Sequence, residues 1–380
     1  MTAPRSILRR PAPRPAAVRR SLAAAAALPL LIGVLGACGY GSQAKNEDKA
    51  VPVAKGEKIG GLDEVRIGYF ANVTHATALV GLQEGFFQKE LGGTRIKSQV
   101  FNAGPSEIEA LNAKAIDVGW IGPSPSINGY TKSKGQNLRI ISGSASGGVS
   151  LVVNGDRIKS LDDLKGKRLA TPQLGNTQDV ALLHYLAGKK LKVDATTGKG
   201  DVTVLRQDNK EIPNSFKSGA IDGAWVPEPT ASKLVADGAK VLLDERTLWK
   251  DGKFVITNVI ASQTFLAQHP EVAEALLRAS VKTNAWIKAN PEKAKASINA
   301  RLKKDSGKEL PAKVLDPAFK NVEVTDDPLS VSLRDSAEHA VGTGLLKSPL
   351  LDGIYDLRPL NKVLKAQGGR AVEDAGLGAK

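Results

Sequence analysis

Residues 115–125 read Ala-Ile-Asp-Val-Gly-Trp-Ile-Gly-Pro-Ser-Pro, and no other stretch constrains the fold as tightly. The apolar middle, Val118 to Ile121, has the length and composition of a short buried strand. Gly122, Pro123 and Pro125 end that strand, and Ser124 and Ser126 open a helix. Strand, tight turn and helix N-terminus together present unpaired backbone N–H groups at the carboxyl end of a sheet.

The pattern returns. Ala220-Ile221-Asp222-Gly223-Ala224-Trp225-Val226-Pro227-Glu228-Pro229 restates Ala-Ile-Asp-x-x-Trp, with Asp222 standing 105 residues after Asp117. Each copy follows an extended run and then a helical one. Two α/β lobes of similar build, facing each other across a ligand, explain the echo.

At 380 residues the chain is long enough for two cored domains, and 42% hydrophobic with 24% charged residues excludes wholesale disorder. The net charge of +14 includes six arginines and no acid in the first 37 residues, so the remainder carries about +8. That surplus suits an anionic ligand or an anionic membrane surface, or is simply a basic surface. Nucleic acid is not indicated, because the few aromatics are scattered and no Lys/Arg run interleaves with them. One cysteine leaves no internal disulfide. His75, His184, His269 and His339 lie too far apart for metal-ligand spacing, so neither metal nor cofactor is expected.

Residues 1–20 are Arg- and Pro-rich, and 22–37 form an uninterrupted apolar run, shorter than a spanning helix of about 20 residues. A basic region followed by a short apolar one is a secretory signal, residues 1–37. It ends in Leu35-Gly36-Ala37-Cys38, which resembles the bacterial lipobox, whose cysteine is acylated and becomes the new N-terminus. Because Cys38 is the only cysteine, lipidation is favoured over a stray thiol. Arg19-Arg20 is compatible with twin-arginine export. Residues 38–62 are polar and without an apolar period, and read as a flexible tether. The folded part then divides into lobe one, 63–153 and 255–380, and lobe two, 154–254.

Small polar residues gather where predicted strands end. After strand 65–70 come Asn72, Thr74 and His75; Asn72 or Thr74 either caps the next helix or lines the cleft. Ser106 and Glu109 have capping-box spacing. Residues 143–148, Gly-Ser-Ala-Ser-Gly-Gly, read as a loop: Ser144, Ser146 and Gly147 let a ligand approach the backbone, or merely connect. Residues 172–179 open a long helix, so that Asn176, Thr177 and Gln178 sit at the positive end of its macrodipole as caps or ligand contacts. Trp225 is either a core residue or a cleft wall, and the Gly-rich tail beyond 365 reads as frayed.

Walker, Gly-x-Gly-x-x-Gly and Gly-x-Ser-x-Gly motifs are absent, and Asp117 and Asp222 read as structural. A lining of Ser, Thr, Asn, Gln and Gly supplies hydrogen-bond donors without an acid–base pair. Such a lining holds an oxyanion and does not transform it.

The signal with its lipobox, Asn72-Val73-Thr74-His75, Phe101-Asn102-Ala103-Gly104-Pro105-Ser106, residues 119–125 and residues 171–179 together carry a family resemblance. They resemble the solute-binding lipoproteins of ABC importers, in the branch for aliphatic sulfonates, taurine and nitrate. The resemblance implies an α/β type II periplasmic-binding-protein fold, two doubly wound lobes joined by two crossovers around a closing cleft. It implies a monomer, not an enzyme, lipid-anchored on the outer face of the bacterial cytoplasmic membrane. There it would hand a small sulfonate-like anion to a permease and its ATPase. Taurine, nitrate or a thiamine-pyrimidine precursor are the alternative ligands, and a same-fold biosynthetic enzyme is the alternative class. Carried over by position, the anion oxygens would meet Ser124, the stretch Ser144 to Gly147, and Asn176 to Gln178. Trp225 and Glu228 would stand at the second-lobe rim. Glu228 suits an anion poorly, and either points away or meets a cationic part of the ligand.

Overall fold

Strand β1 (Glu64–Phe70) alternates as a half-buried strand should: Val65, Ile67 and Tyr69 are fully buried, while Glu64 and Arg66 keep access to water. A 3-10 turn, Val73–His75, leads into α1 (Ala76–Gln83), α2 (Phe86–Leu91), β2 (Arg95–Phe101) and α3 (Gly104–Asn112). Next come β3 (Val118–Ile121), α4 (Pro123–Lys132) and β4 (Leu138–Gly147). A second run follows: β5 (Val149–Val153), β6 (Arg168–Thr171), α5 (Thr177–Gly188), β7 (Thr203–Arg206), α6 (Ile212–Lys217), β8 (Gly223–Pro227), α7 (Thr230–Ala236) and β9 (Lys240–Asp244). The chain returns through β10 (Val255–Ser262) and continues as α8 (Gln263–Gln268), α9 (Pro270–Ala289), α10 (Pro291–Ser306) and α11 (Ala312–Asn321). It finishes with β11 (Val322–Val324), α12 (Ser330–Gly342) and α13 (Arg358–Ala366). The computed structural model describes residues 56–379, so the expected signal, Cys38 and most of the tether lie outside the described residues. Among those residues no helix is long and apolar enough to cross a membrane.

Two sheets result, ordered β2-β1-β3-β10-β4-β11 and β7-β6-β8-β5-β9. The first five strands of the one and the five of the other follow the same permutation, and β11 adds a sixth strand at the edge of the first sheet. In each, the first three strands pair in parallel and one antiparallel strand is inserted beside the third: β10 in the first lobe, β5 in the second. Each inserted strand arrives from the other lobe. The chain therefore crosses twice, at Gly147-Gly148 and between Asp244 and Val255. Gly147 and Gly148 take φ values of +76° and +69°, the left-handed region that glycine enters without a Cβ penalty.

The echo marks equivalent places in the two lobes. Asp117 accepts from the Arg66 backbone N–H (2.9 Å), Nε (2.9 Å) and Nη2 (2.5 Å). Asp222 does the same for Arg168, at 2.9, 3.2 and 3.0 Å, and also takes Arg157 Nη1 at 2.7 Å. Each carboxylate ties the first strand of its lobe to the turn before the third. The two tryptophans that follow, Trp120 and Trp225, are fully buried in their own lobes' cores.

Several expectations change. Residues 150–153, read as the end of lobe one, sit in the second sheet, because both edges of β5 are taken, by β8 and by β9. Residues 143–147 are not a loop but the end of β4, since β10 and β11 both pair along it. The capping box at Ser106 and Glu109 does not form: α3 already starts at Gly104, behind Ala103. The last tether residues dock on the first lobe, with Ile59 N–H donating to Thr94 Oγ1 (3.1 Å) and Gly93 N–H to the Glu57 carbonyl (3.0 Å). The tail is held as well. Leu377 is buried, Tyr355 N–H donates to its carbonyl (3.2 Å), and Ala379 N–H donates to the Tyr355 carbonyl (2.7 Å). Ser330 Oγ donates to the Glu373 carbonyl (2.8 Å) and Asn361 Nδ2 to the Val372 carbonyl (3.0 Å), so Leu377 is one of several anchors of that segment.

Candidate ligand-binding cleft

A cavity lies between the lobes. Phe70, Asn72, Thr74, His75, Gly122 and Ile256 line it from the first lobe, and Asn176, Thr177, Gln178, Asn209 and Pro227 from the second. The space enclosed is about 20 Å³, room for a water molecule or two. Three helix starts reach it: the 3-10 turn before α1, α4 behind Gly122, and α5 behind Asn176. No ionisable side chain except His75 is in the lining.

Asn72 and Asn176 both hold N-cap positions, yet neither side chain makes a capping bond. Asn176 Nδ2 instead donates to Gln178 Oε1 at 3.1 Å. Thr177 opens α5 with a buried, unpartnered hydroxyl, and Asn209 brings a buried, unpartnered Oδ1. Gly122 is required here. A Cβ built on it would stand 2.4 Å from Thr177 Oγ1, so the lobes approach here too closely for a side chain at this position.

His75 is a fixed neutral donor. Its Nδ1 accepts the Phe70 backbone N–H at 3.2 Å, which leaves Nε2 to carry the ring proton. The ring stacks on Phe70, centroids 4.4 Å apart. Burial depresses its pKa to about 3, so it stays uncharged at neutral pH.

The nearby charges are spent elsewhere. Asp179, in the first turn of α5, accepts from Thr171 Oγ1 (2.8 Å), Arg206 Nε (2.8 Å) and Gly175 N–H (3.0 Å). Glu228 turns away from the cavity: it accepts from Ser232 N–H (3.0 Å), Ser232 Oγ (2.9 Å) and Asn321 Nδ2 (2.8 Å), and burial raises its pKa.

Of the residues picked from sequence, Asn72, Thr74, His75, Asn176, Thr177 and Gln178 come together in the lining. The others lie outside it. Ser124 is buried in the first turn of α4 with its hydroxyl unpartnered. Ser144 donates to Thr77 Oγ1 (3.1 Å), Ser146 Oγ accepts from Phe254 N–H (3.4 Å), and Gly147 forms the crossover. Trp225 stands in the second-lobe core, its indole N–H donating to Glu245 Oε2 at 2.6 Å. The sequence reading missed Phe70, Gly122, Asn209, Pro227 and Ile256. Gly122 and Pro227 were within reach, since each lies two residues after an echoed tryptophan. Asn209 carries no signal, being one polar residue in a polar loop.

Two doubly wound lobes enclose a cavity of neutral donors, and the sequence relatives that match this chain are named as binding proteins. Residues 60–302 match the NMT1-like family, and the chain belongs to it. It is 28% identical over 302 residues to a Brucella abortus (strain 2308) protein that bears the name of a binding protein, covering 75% of this chain and 88% of the relative. It is 27% identical over 215 residues to the taurine-binding periplasmic protein of Escherichia coli (strain K12), covering 57% and 64%. The alkanesulfonate-binding protein of Xanthomonas axonopodis pv. citri, solved bound to MOPS, shares the fold with a TM-score of 0.61 at 22% identity, over 75% of this chain and 94% of that one.

Proposed function

We propose that this protein is the exported, lipid-anchored binding component of an ABC importer, and that it captures a compact sulfonate-type anion between its lobes. One observation carries the reading: three helix starts converge on a cavity whose donors are all neutral. Helix N-termini favour an anion by about 0.3–2 kcal/mol each, depending on burial. With no cation in the lining, a monoanion fits better than a dianion, whose second charge would be buried unpaired. With Glu228 committed to Ser232 and Asn321, no carboxylate meets an ammonium, so an uncharged tail is preferred to the zwitterion taurine. The relatives named for taurine and alkanesulfonate binding support the ligand class. The lipobox at Cys38 supports the anchor, and the name of the periplasmic relative supports export. The amide groups of Asn72, Asn176, Gln178 and Asn209 beside Phe70 also suit a flat neutral heterocycle, which makes a thiamine pyrimidine the second candidate.

Thermal unfolding against alkanesulfonates, taurine, sulfate, nitrate, phosphonates and a thiamine pyrimidine tests this. A ligand at a hundred times its Kd stabilises the fold by about 2.7 kcal/mol, which raises Tm by a readable few degrees. Stabilisation by ethanesulfonate above taurine and sulfate is expected. Stabilisation only by the pyrimidine, or by nothing in the panel, rejects the sulfonate.

A further inference from the structure

Away from the cavity, a further contact joins the lobes. His184 lies in the second turn of α5 and His339 in the last turn of α12. Helix α5 packs into the second-lobe core through Leu182, Leu183 and Leu186, and α12 into the first through Leu333 and Ala337. The two imidazoles nevertheless stack across the divide, centroids 3.6 Å apart and planes 16° from parallel. His339 also packs against Trp249 (5.3 Å), which stacks on Phe254 (5.3 Å, 13°) in the second crossover. The helix that carries His184 begins at Thr177 and Gln178, in the cavity.

Charged neighbours do not steady a proton there. On α12 the charges are Arg334, which donates to the Ala375 carbonyl, Asp335 and Glu338, and just past α5 stands Lys189, which sits over the Tyr185 ring. Asp179 of α5 is bound by Arg206, and Arg168 of β6 by Asp222. Helix α4 brings only Lys132 at its far end, and β8 and β10 bring no charge. Glu245 lies behind Trp249, accepting its indole N–H at 3.2 Å. Neither imidazole has a carboxylate acting on it. Burial lowers both pKa values, and the facing His184 ring lowers that of His339 further, to about 4.

We propose that His184 and His339 form a proton-operated latch between the lobes. Neutral, the rings stack and hold the lobes closed over a ligand; protonated, they place two like charges in ring contact and drive α5 and α12 apart, opening the cleft. The sign follows from linkage. Both rings lose basicity in the closed form, so protons favour the open form and closure weakens as pH falls below the ordinary histidine range. The latch regulates the cavity assigned above and rests on that assignment for its ligand.

Calorimetric titration with ethanesulfonate at pH 7.5 and 5.5 tests it. The affinity is expected to fall about tenfold at the lower pH, the loss for one histidine moved from its ordinary pKa to about 4 on closure. The double variant His184→Phe, His339→Phe keeps a ring stack without a proton site and is expected to lose less than twofold. The single variant His339→Gln, which removes the ring whose pKa falls to about 4, serves if the double variant does not fold, and should also flatten the profile. A full tenfold loss in these variants assigns the titration to His75 or Glu245 and overturns the latch. If no anion binds at pH 7.5, the sulfonate reading fails separately, and the latch is read from lobe separation. Spin labels on Lys132→Cys and Lys199→Cys, in a Cys38→Ser background, should move apart at pH 5.5 only when both histidines are present. An unchanged distance overturns the proposal.

Discussion

Gly122 shows how much one residue decides. It caps α4, and its missing side chain is what lets Thr177 stand against it from the other lobe. Gly122→Ala puts a methyl group 2.4 Å from Thr177 Oγ1, and the backbone φ of −72° accepts alanine without strain. The expected outcome is therefore selective: at least tenfold weaker ligand binding by calorimetry, with the thermal stability of the ligand-free protein nearly unchanged. A loss of stability comparable to the loss of affinity would mean that Gly122 serves folding, not closure. His75 makes the same point through protonation. Its Nδ1 bond to the Phe70 backbone fixes the tautomer, a fact that depends on where the chain turns and not on which residues flank it.

At the scale of elements, the repeated Asp is a clamp. Asp222 is pushed up by burial, but the Arg168 and Arg157 bonds outweigh this and bring its pKa to about 2. A carboxylate lowered in this way stabilises the fold above its unfolded pKa, and the contribution is lost as pH falls through the folded value. Asp222→Asn should cost about 1–2 kcal/mol at pH 7 and little near pH 2, measured by urea unfolding at both. The clamp was legible in the sequence, because Ala-Ile-Asp-x-x-Trp recurs with its spacing intact. The helix starts were legible too, from strand-ending glycines followed by Asn, Thr or Ser. The end of β4 was not. Gly-Ser-Ala-Ser-Gly-Gly has the composition of a loop, and only pairing to β10 and β11, more than a hundred residues away, makes it a strand.

At the scale of the whole molecule, two crossovers join the lobes, and the second carries a buried acid. Glu245 accepts the indole N–H groups of Trp225 in the second-lobe core and of Trp249 against Phe254. Burial raises its pKa from 4.5 to about 7, against the pull of both tryptophans. Below pH 4.5 the acid is neutral folded or unfolded and contributes no difference. Between 4.5 and 7 the unfolded chain ionises first, and the folded protein loses stability. Glu245→Gln should flatten that slope and raise stability at pH 8 by about 1–2 kcal/mol, after the loss of one of the two indole bonds. Denaturant midpoints at pH 5, 6, 7 and 8 read it; an unaltered slope would place the titration elsewhere.

The sequence by itself determined the local grammar: apolar runs of strand length, glycines and prolines that stop them, polar residues at helix starts, and a motif used once in each lobe. These depend on neighbours within a turn or two, so composition and spacing are enough to read them. Only the tertiary structure decided which strand belongs to which sheet and where the chain crosses. It also decided that Glu228 and Trp225 turn away from the cleft while Thr177 and Gly122 meet across it. Those outcomes depend on pairing and closure between distant segments, and no periodicity along the chain records which partner fills the space beside a side chain.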